Sequence, residues 1–279
     1  MTAEDWKYIE NTFLPATDGS FLKANAILID HIAKLAEGAK TSLPIAQLVT
    51  EFAPTETKWN NAYRAWSDAR ALYRSRTDTF EGLIAELITR PPGAGARSIL
   101  DGWVSKVNAV AAIGHPDYTY LFPRGREAFT LASRDELTTN LLNLALRLGA
   151  RRDELASPAS VPTAPRELQD RHAAYVILAP QVADFHAKIK EARELQQGAE
   201  GSVTQLRAPL EAARLEVCDE LYGNLGALMR IFRKNRPAVA GFFDLELLRT
   251  PTPEEEDPVA PPAIPPPAAP PTPPTPPTT

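Results

Sequence analysis

A single cysteine, Cys218, in a chain of 279 residues excludes an internal disulfide framework and any site built on several thiolates. Set beside apolar Val217 in a helical pattern, it reads as a buried, inert thiol. Long apolar runs are also missing. No stretch approaches the roughly 18 apolar residues that a membrane span requires. The N-terminal MTAEDWKYIENTF has no basic start leading into an apolar core. The expectation is a soluble, cytoplasmic protein with no membrane span. Charge of one sign is scarce as well. Of the net charge of −5, four units come from Glu254, Glu255, Glu256 and Asp257, which leaves a near-neutral body and argues against a nucleic-acid partner.

Catalytic and cofactor signatures are equally thin. The run Gly93-Ala-Gly-Ala-Arg-Ser98 precedes a helix, but it lacks the lysine and the preceding strand of a phosphate loop and reads as an interhelical turn. No Gly-x-Ser-x-Gly elbow is present, and Cys218 has no identifiable base. His172 and His186 share one helical stripe, but fourteen residues of helix hold them about 21 Å apart, too far for one ion. Asp30 and His31 point to different faces of their helix, and no Glu-x-x-His pair suggests a di-iron site. Arg230, Arg233, Lys234 and Arg236 cluster where a helix dipole favours cations. Glu216, Asp219 and Glu220 fit a solvated helix face. The sequence therefore predicts no metal, no cofactor and no catalytic residue.

What the sequence does hold is helical periodicity, read here as written twice around the middle stretch His115–Ser133. An aromatic arm, residues 1–16, carries Trp6, Ile9, Phe13 and Leu14. A first three-helix unit, residues 17–114, follows. Its first helix carries Phe21, Ala24, Leu28, Ile32 and Leu35, with Gly38 placed as a C-cap. Lys40–Ala53 reads as a connector, and Pro54 with Glu56 suits a helix start. From there Trp59, Trp66, Tyr73, Phe80 and Leu87 stand seven apart, the spacing of a bundle seam, and Trp103 anchors the third helix.

The aromatic connector, residues 115–133, contributes Tyr118, Tyr120, Leu121 and Phe122. The second unit, residues 134–250, then repeats the order. Ser133 and Glu136 have capping-box spacing ahead of Leu137, Leu141, Leu144 and Leu148, and Gly149 closes that helix. Pro165 and Glu167 echo Pro54 and Glu56. Leu168, Tyr175, Val182 and Ile189 stand at sevens, and Gly198 with Gly201 breaks the run before a third helix bearing Leu210, Val217, Leu221 and Leu225. Phe242, Phe243, Leu245 and Leu248 close the unit. In the tail, residues 251–279, 14 of 29 positions are proline, which predicts a solvated, disordered polyproline segment.

The expected fold is all-α: two tandem three-helix units, an internal duplication, forming an elongated helical bundle with a disordered proline-rich tail. The expected function is a non-catalytic structural or protein-interaction protein whose partner is another protein or itself. Head-to-tail self-assembly would run through Trp6, Phe13, Tyr118, Tyr120, Phe122, Phe242 and Phe243, with Trp59, Trp66, Tyr73, Phe80 and Trp103 as core anchors. The alternative is a small-ligand-binding protein or enzyme using a cleft between the units, lined by Tyr118, Tyr120, Arg124 and Arg126.

Overall fold

A computed structural model describes residues 17–90, 97–161, 163–233 and 235–249. All regular structure among them is helical: α1 (Asp18–Ala39), α2 (Leu43–Ile88), α3 (Ile99–Val110), α4 (Pro116–Leu121), α5 (Glu127–Thr130), α6 (Arg134–Ala159), α7 (Arg166–Ile231), α8 (Arg236–Ala240) and α9 (Leu245–Arg249). No described helix is long and apolar enough to cross a membrane. The aromatic arm with Trp6 and Phe13, the glycine turn 91–96, Lys234 and the tail lie outside the described residues.

Several helix starts follow from side-chain caps. Thr17 Oγ1 accepts from Ser20 N at 3.1 Å while Ser20 Oγ accepts from Thr17 N at 3.0 Å, closing a capping box on α1. Ser133 and Glu136 form the same device on α6, where Ser133 Oγ accepts at 3.3 Å and Glu136 Oε2 at 2.9 Å. Ser98 Oγ caps α3 by accepting from Asp101 N at 3.1 Å.

The helices run through most of the breaks that proline and glycine suggest. Pro54 lies inside α2, because Ile45, Leu48 and Phe52 upstream of it are buried and hold the expected connector in helical register. In consequence the seam begins earlier than Trp59: Ile45, Phe52, Trp59, Trp66, Phe80 and Leu87 all fall on one seven-residue register and are all buried. Tyr73, at the remaining position, is half-buried and so is not a core anchor. Likewise Gly149 and Pro158 lie within α6, and Pro180, Gly198, Gly201 and Pro209 within the 66 residues of α7. The two separate helices expected there are one. Along it Tyr175, Val182, Ile189, Gln196, Leu210, Val217 and Asn224 hold a single buried heptad position.

Packing divides the chain into two compact units that differ from the halves 17–114 and 134–250. Among the described residues, the first draws on those between 17 and 63 and between 210 and 249, the second on those between 64 and 209. Thus α2 and α7 each contribute one part to both units.

In the first unit, α1 and α2 are antiparallel: Asn25 Oδ1 accepts from Trp59 Nε1 at 3.0 Å, and His31 meets Phe52 edge to face at 6.0 Å. The α7 segment runs parallel to α1, with Arg214 over the Phe21 ring at 5.8 Å and Asn224 beside His31 at 3.4 Å. Phe21, Ile27, Leu28, Leu35, Trp59, Val217, Leu221 and Leu225 belong to its buried interior. Gly38 is not a left-handed cap, since α1 continues to Ala39. Its use is close approach, because a Cβ there would lie 2.9 Å from Phe242 Cε1.

In the second unit the core joins Phe80, Leu87, Trp103, Phe122, Phe129, Leu141, Leu148, Tyr175, Val182 and Ile189. Trp103 meets Phe185 edge to face at 5.7 Å. Here α2 and α7 are antiparallel, as Gln196 Nε2 donates to Thr77 Oγ1 at 3.0 Å and Arg193 covers the Phe80 ring at 5.6 Å.

Candidate functional site

Three places gather the side chains from which a function can be argued. The first is the middle stretch of the chain. His115 caps α4, its Nδ1 accepting from Asp117 N at 3.1 Å. A neutral imidazole has one acceptor nitrogen, so Nε2 carries the proton and the 3.3 Å approach of Arg171 Nη1 to it is not a hydrogen bond. Arg171 instead donates to Asp117 Oδ2 at 3.1 Å, and Tyr175 Oη donates to the same oxygen at 3.3 Å. Arg151 Nε lies 3.4 Å from Asp117 Oδ1. Asp117 is 6% exposed, so this carboxylate ties α4, α6 and α7 together from within. Burial, and then the adjacent Asp117 carboxylate, push the Tyr175 phenol well above its ordinary pKa, which removes it as a base. The arrangement holds charge in place.

Around that cluster the expected connector resolves into α4, α5 and their turns. Phe122 is 3% exposed, packed against Tyr118 at 5.6 Å and Phe129 at 6.4 Å, so it is a core residue and not a surface contact. Tyr118 is half-buried. Tyr120 is exposed, its ring covered by Arg151 at 4.6 Å and Arg147 at 5.8 Å. Arg126 closes the end of α2, its Nη2 donating to the Ile88 carbonyl at 2.8 Å and its Nε facing Asp101 at 3.3 Å. Arg124 lines a shallow groove between α5 and α6 with Glu127, Leu131, Asp135 and Asn140. Sequence reasoning named this stretch and placed Tyr175 on a helical stripe, but it did not bring Asp117, Arg151 and Arg171 together with that tyrosine. Their partners lie more than 50 residues apart in the chain for Arg171 and Tyr175, and no local spacing marks them.

The second place is the C-terminal aromatic segment. Phe243 is 3% exposed and stacks on His31 at 4.7 Å, while Phe242 is half-buried against Phe232 at 5.7 Å. His31 Nδ1 donates to the Phe242 carbonyl at 2.9 Å, and Lys23 Nζ donates to the Leu248 carbonyl at 3.1 Å. The segment therefore folds back on the unit that carries it, and Phe243 is not available at the surface.

The third place is the outer face of α1. Leu22 is 47% and Ile29 60% exposed, and Ala26, Ala33 and Ala36 are exposed between and beyond them. These five positions advance by four, three, four and three residues, so they form one straight stripe on the side of the helix away from Phe21, Leu28 and Leu35. The spacing was legible in the sequence, but the inner stripe, with its aromatic, masked it.

The chain matches no family model, no curated protein and no solved structure. Among the described residues no group of three metal-ligating side chains comes together.

Proposed function

We propose that the chain is a non-catalytic structural or protein-interaction protein that presents helix faces to protein partners, copies of itself included. The observation that carries this reading is α1, which is apolar on two opposite faces. The inner face is used in the core of the first unit, and the outer stripe of Leu22, Ala26, Ile29, Ala33 and Ala36 meets solvent. A surface helix ordinarily has one apolar stripe and a polar back, and a second stripe is the mark of a second packing partner.

In its head-to-tail form, the C-terminal segment of one molecule would take on the next molecule the place it takes on its own, exchanging the Phe243 and Leu248 contacts. The tandem duplication belongs to the same proposal. Each copy would begin with a capping-box helix, α1 or α6, followed by a long heptad helix, α2 or α7.

The test is affinity capture from an extract of the native host, comparing the wild-type chain with a Leu22→Ser/Ile29→Ser double variant whose circular dichroism and melting match the parent. Proteins captured by the wild type and lost with the variant support the reading. Identical sets would overturn it.

A further inference from the structure

We infer that the cluster joining α4, α6 and α7 in the second unit is a binding site for a phosphate group, received by His115 Nε2 and Arg171 Nη1 and held by the positive charge around them. The site is separate from the α1 face and does not depend on the chain being an interaction protein. His115 Nδ1 is committed to the backbone N–H of Asp117 at 3.1 Å, which leaves the ring proton on Nε2. Arg171 Nη1 stands 3.3 Å from that Nε2. Nη1 carries two hydrogens, and only one of them goes to Asp117 Oδ2, at 3.1 Å. Two donors facing each other cannot satisfy one another. A single oxygen about 2.9 Å from each nitrogen accepts from both. The place is open to solvent, since His115 is half-buried and the Arg171 side chain is 19% exposed.

The charge around that point selects an anion. Arg147 and Arg151 of α6 both lie over the Tyr120 ring, at 5.8 and 4.6 Å, and Arg151 is joined to Arg171 of α7 through Asp117. Two carboxylates answer these three guanidinium groups: Asp117, shared by Arg151 and Arg171, and Glu154, held by Arg151 Nη1. One positive charge is left over. Among the described residues Arg147 pairs with no carboxylate, since Asn143, Leu144, Ala150 and Arg151 occupy the positions three and four away on α6. Asp117 opposes an incoming anion, but Arg151, Arg171 and the Tyr175 hydroxyl already engage its charge. Its part is to hold Arg171 Nη1 beside His115. A carboxylate ligand is planar and is matched by one guanidinium fork. Here the donors belong to an imidazole and a guanidinium on different elements, an arrangement suited to a phosphate, which brings several acceptor oxygens and about two charges.

The experiment titrates the full chain with inorganic phosphate at constant ionic strength, following the His115 ring by proton–nitrogen NMR and the affinity by calorimetry, with chloride and acetate as controls. The expected result is a saturable response to phosphate, roughly millimolar or tighter, in which the His115 Nε2 proton moves most. His115→Ser keeps a capping oxygen for the Asp117 N–H and removes the Nε2 donor, and it should weaken binding about tenfold or more. Arg147→Gln leaves every Asp117 contact in place and should weaken binding about two- to fivefold. Should His115→Ser melt well below the parent, the Arg147→Gln titration and the position of the ring proton in the wild type decide. Glycerol phosphate separates the sources of the group: tighter binding than inorganic phosphate assigns the site to a phosphoester, and equal binding to the free ion. No saturable response at the highest phosphate concentration would overturn the proposal. So would a response that acetate matches, a His115 ring proton found on Nδ1, or an affinity that neither substitution changes.

Discussion

His31 Nδ1 lies 2.9 Å from the carbonyl oxygen of Phe242, and that contact fixes both the tautomer of a buried imidazole and the seat of the C-terminal segment. With the proton on Nδ1, Nε2 is the acceptor that faces the Asn224 amide at 3.4 Å. The groups that surround the ring from other elements are Phe52, Phe242, Phe243 and Asn224, none of them titratable. The charges that act on it, Asp30 and Lys34, sit on its own helix and oppose each other. Burial therefore dominates and pushes the His31 pKa down to about 4.

The first prediction is the sign of the resulting pH dependence. The unfolded chain protonates His31 near 6.5 and the folded chain only near 4, so the unfolded state binds more protons between those values. Stability should fall as pH drops through that window, by about 3 kcal/mol for this group, and lose nothing more from it below pH 4. Urea unfolding at pH 7 and pH 4.5, with a His31→Gln chain to subtract the carboxylates, measures it. Equal pH dependence in the two chains would show that His31 is not buried neutral.

The second prediction separates two residues that look equivalent in the sequence. Trp66 is fully buried, and Trp66→Ala should cost about 3–5 kcal/mol, the usual range for emptying an aromatic core site. Tyr73, one heptad on, is half-buried, and Tyr73→Ala should cost about 1 kcal/mol. Thermal melting of both variants decides. A Tyr73→Ala chain as damaged as Trp66→Ala would return Tyr73 to the core.

That contrast shows what a single sequence conveys here. The all-α class was readable because heptad spacing survives over many turns, and the Ser133–Glu136 box because its chemistry is local. Helix ends at Pro54, Gly149 and Gly198 were misplaced for a common reason. A proline or glycine costs a helix roughly 1–3 kcal/mol, which buried neighbours such as Phe52 or Leu148 offset, and burial depends on partners far along the chain. The same applies to Asp117 and His31, whose partners come from α6, α7 and the C-terminal segment.

The third prediction concerns the ion cluster of the second unit. Asp117→Ala removes the carboxylate that Arg151, Arg171 and Tyr175 share and leaves two guanidinium groups, 28% and 19% exposed, without it. Breaking a fully buried pair costs about 3–5 kcal/mol. Partial exposure of both arginines brings the expected loss to about 2–3 kcal/mol. Tyr175→Phe deletes one hydrogen bond from the same oxygen and should cost about 1 kcal/mol. Denaturant unfolding of the two variants should rank them in that order. The reverse order would mean that the phenol, and not the ion pairs, holds α4 to α7.

The last prediction uses two truncations to divide the C-terminal region. Removing residues 251–279 deletes 14 prolines, which donate no backbone hydrogen bond and cannot extend a helix, so the melting temperature should not change. Removing everything after Asn235 also takes away α8 and α9 with the buried Val239, Phe243 and Leu248. The cost should be at least about 3–5 kcal/mol, the range for emptying a single aromatic core position, since three buried apolar side chains leave together. It should come with a specific signature. Without Phe243 stacked on the ring and the Phe242 carbonyl on Nδ1, His31 meets water, and the burial that depresses its pKa is relieved. In the shorter chain its imidazole should titrate by NMR near 6.5, and the stability loss between pH 6.5 and pH 4 predicted for the full chain should shrink with it. If the short truncation already lowers the melting temperature, residues 251–279 pack on the body. If the long one leaves the His31 titration near 4, the ring is buried by α2 and α7 alone and the C-terminal segment is not its cover.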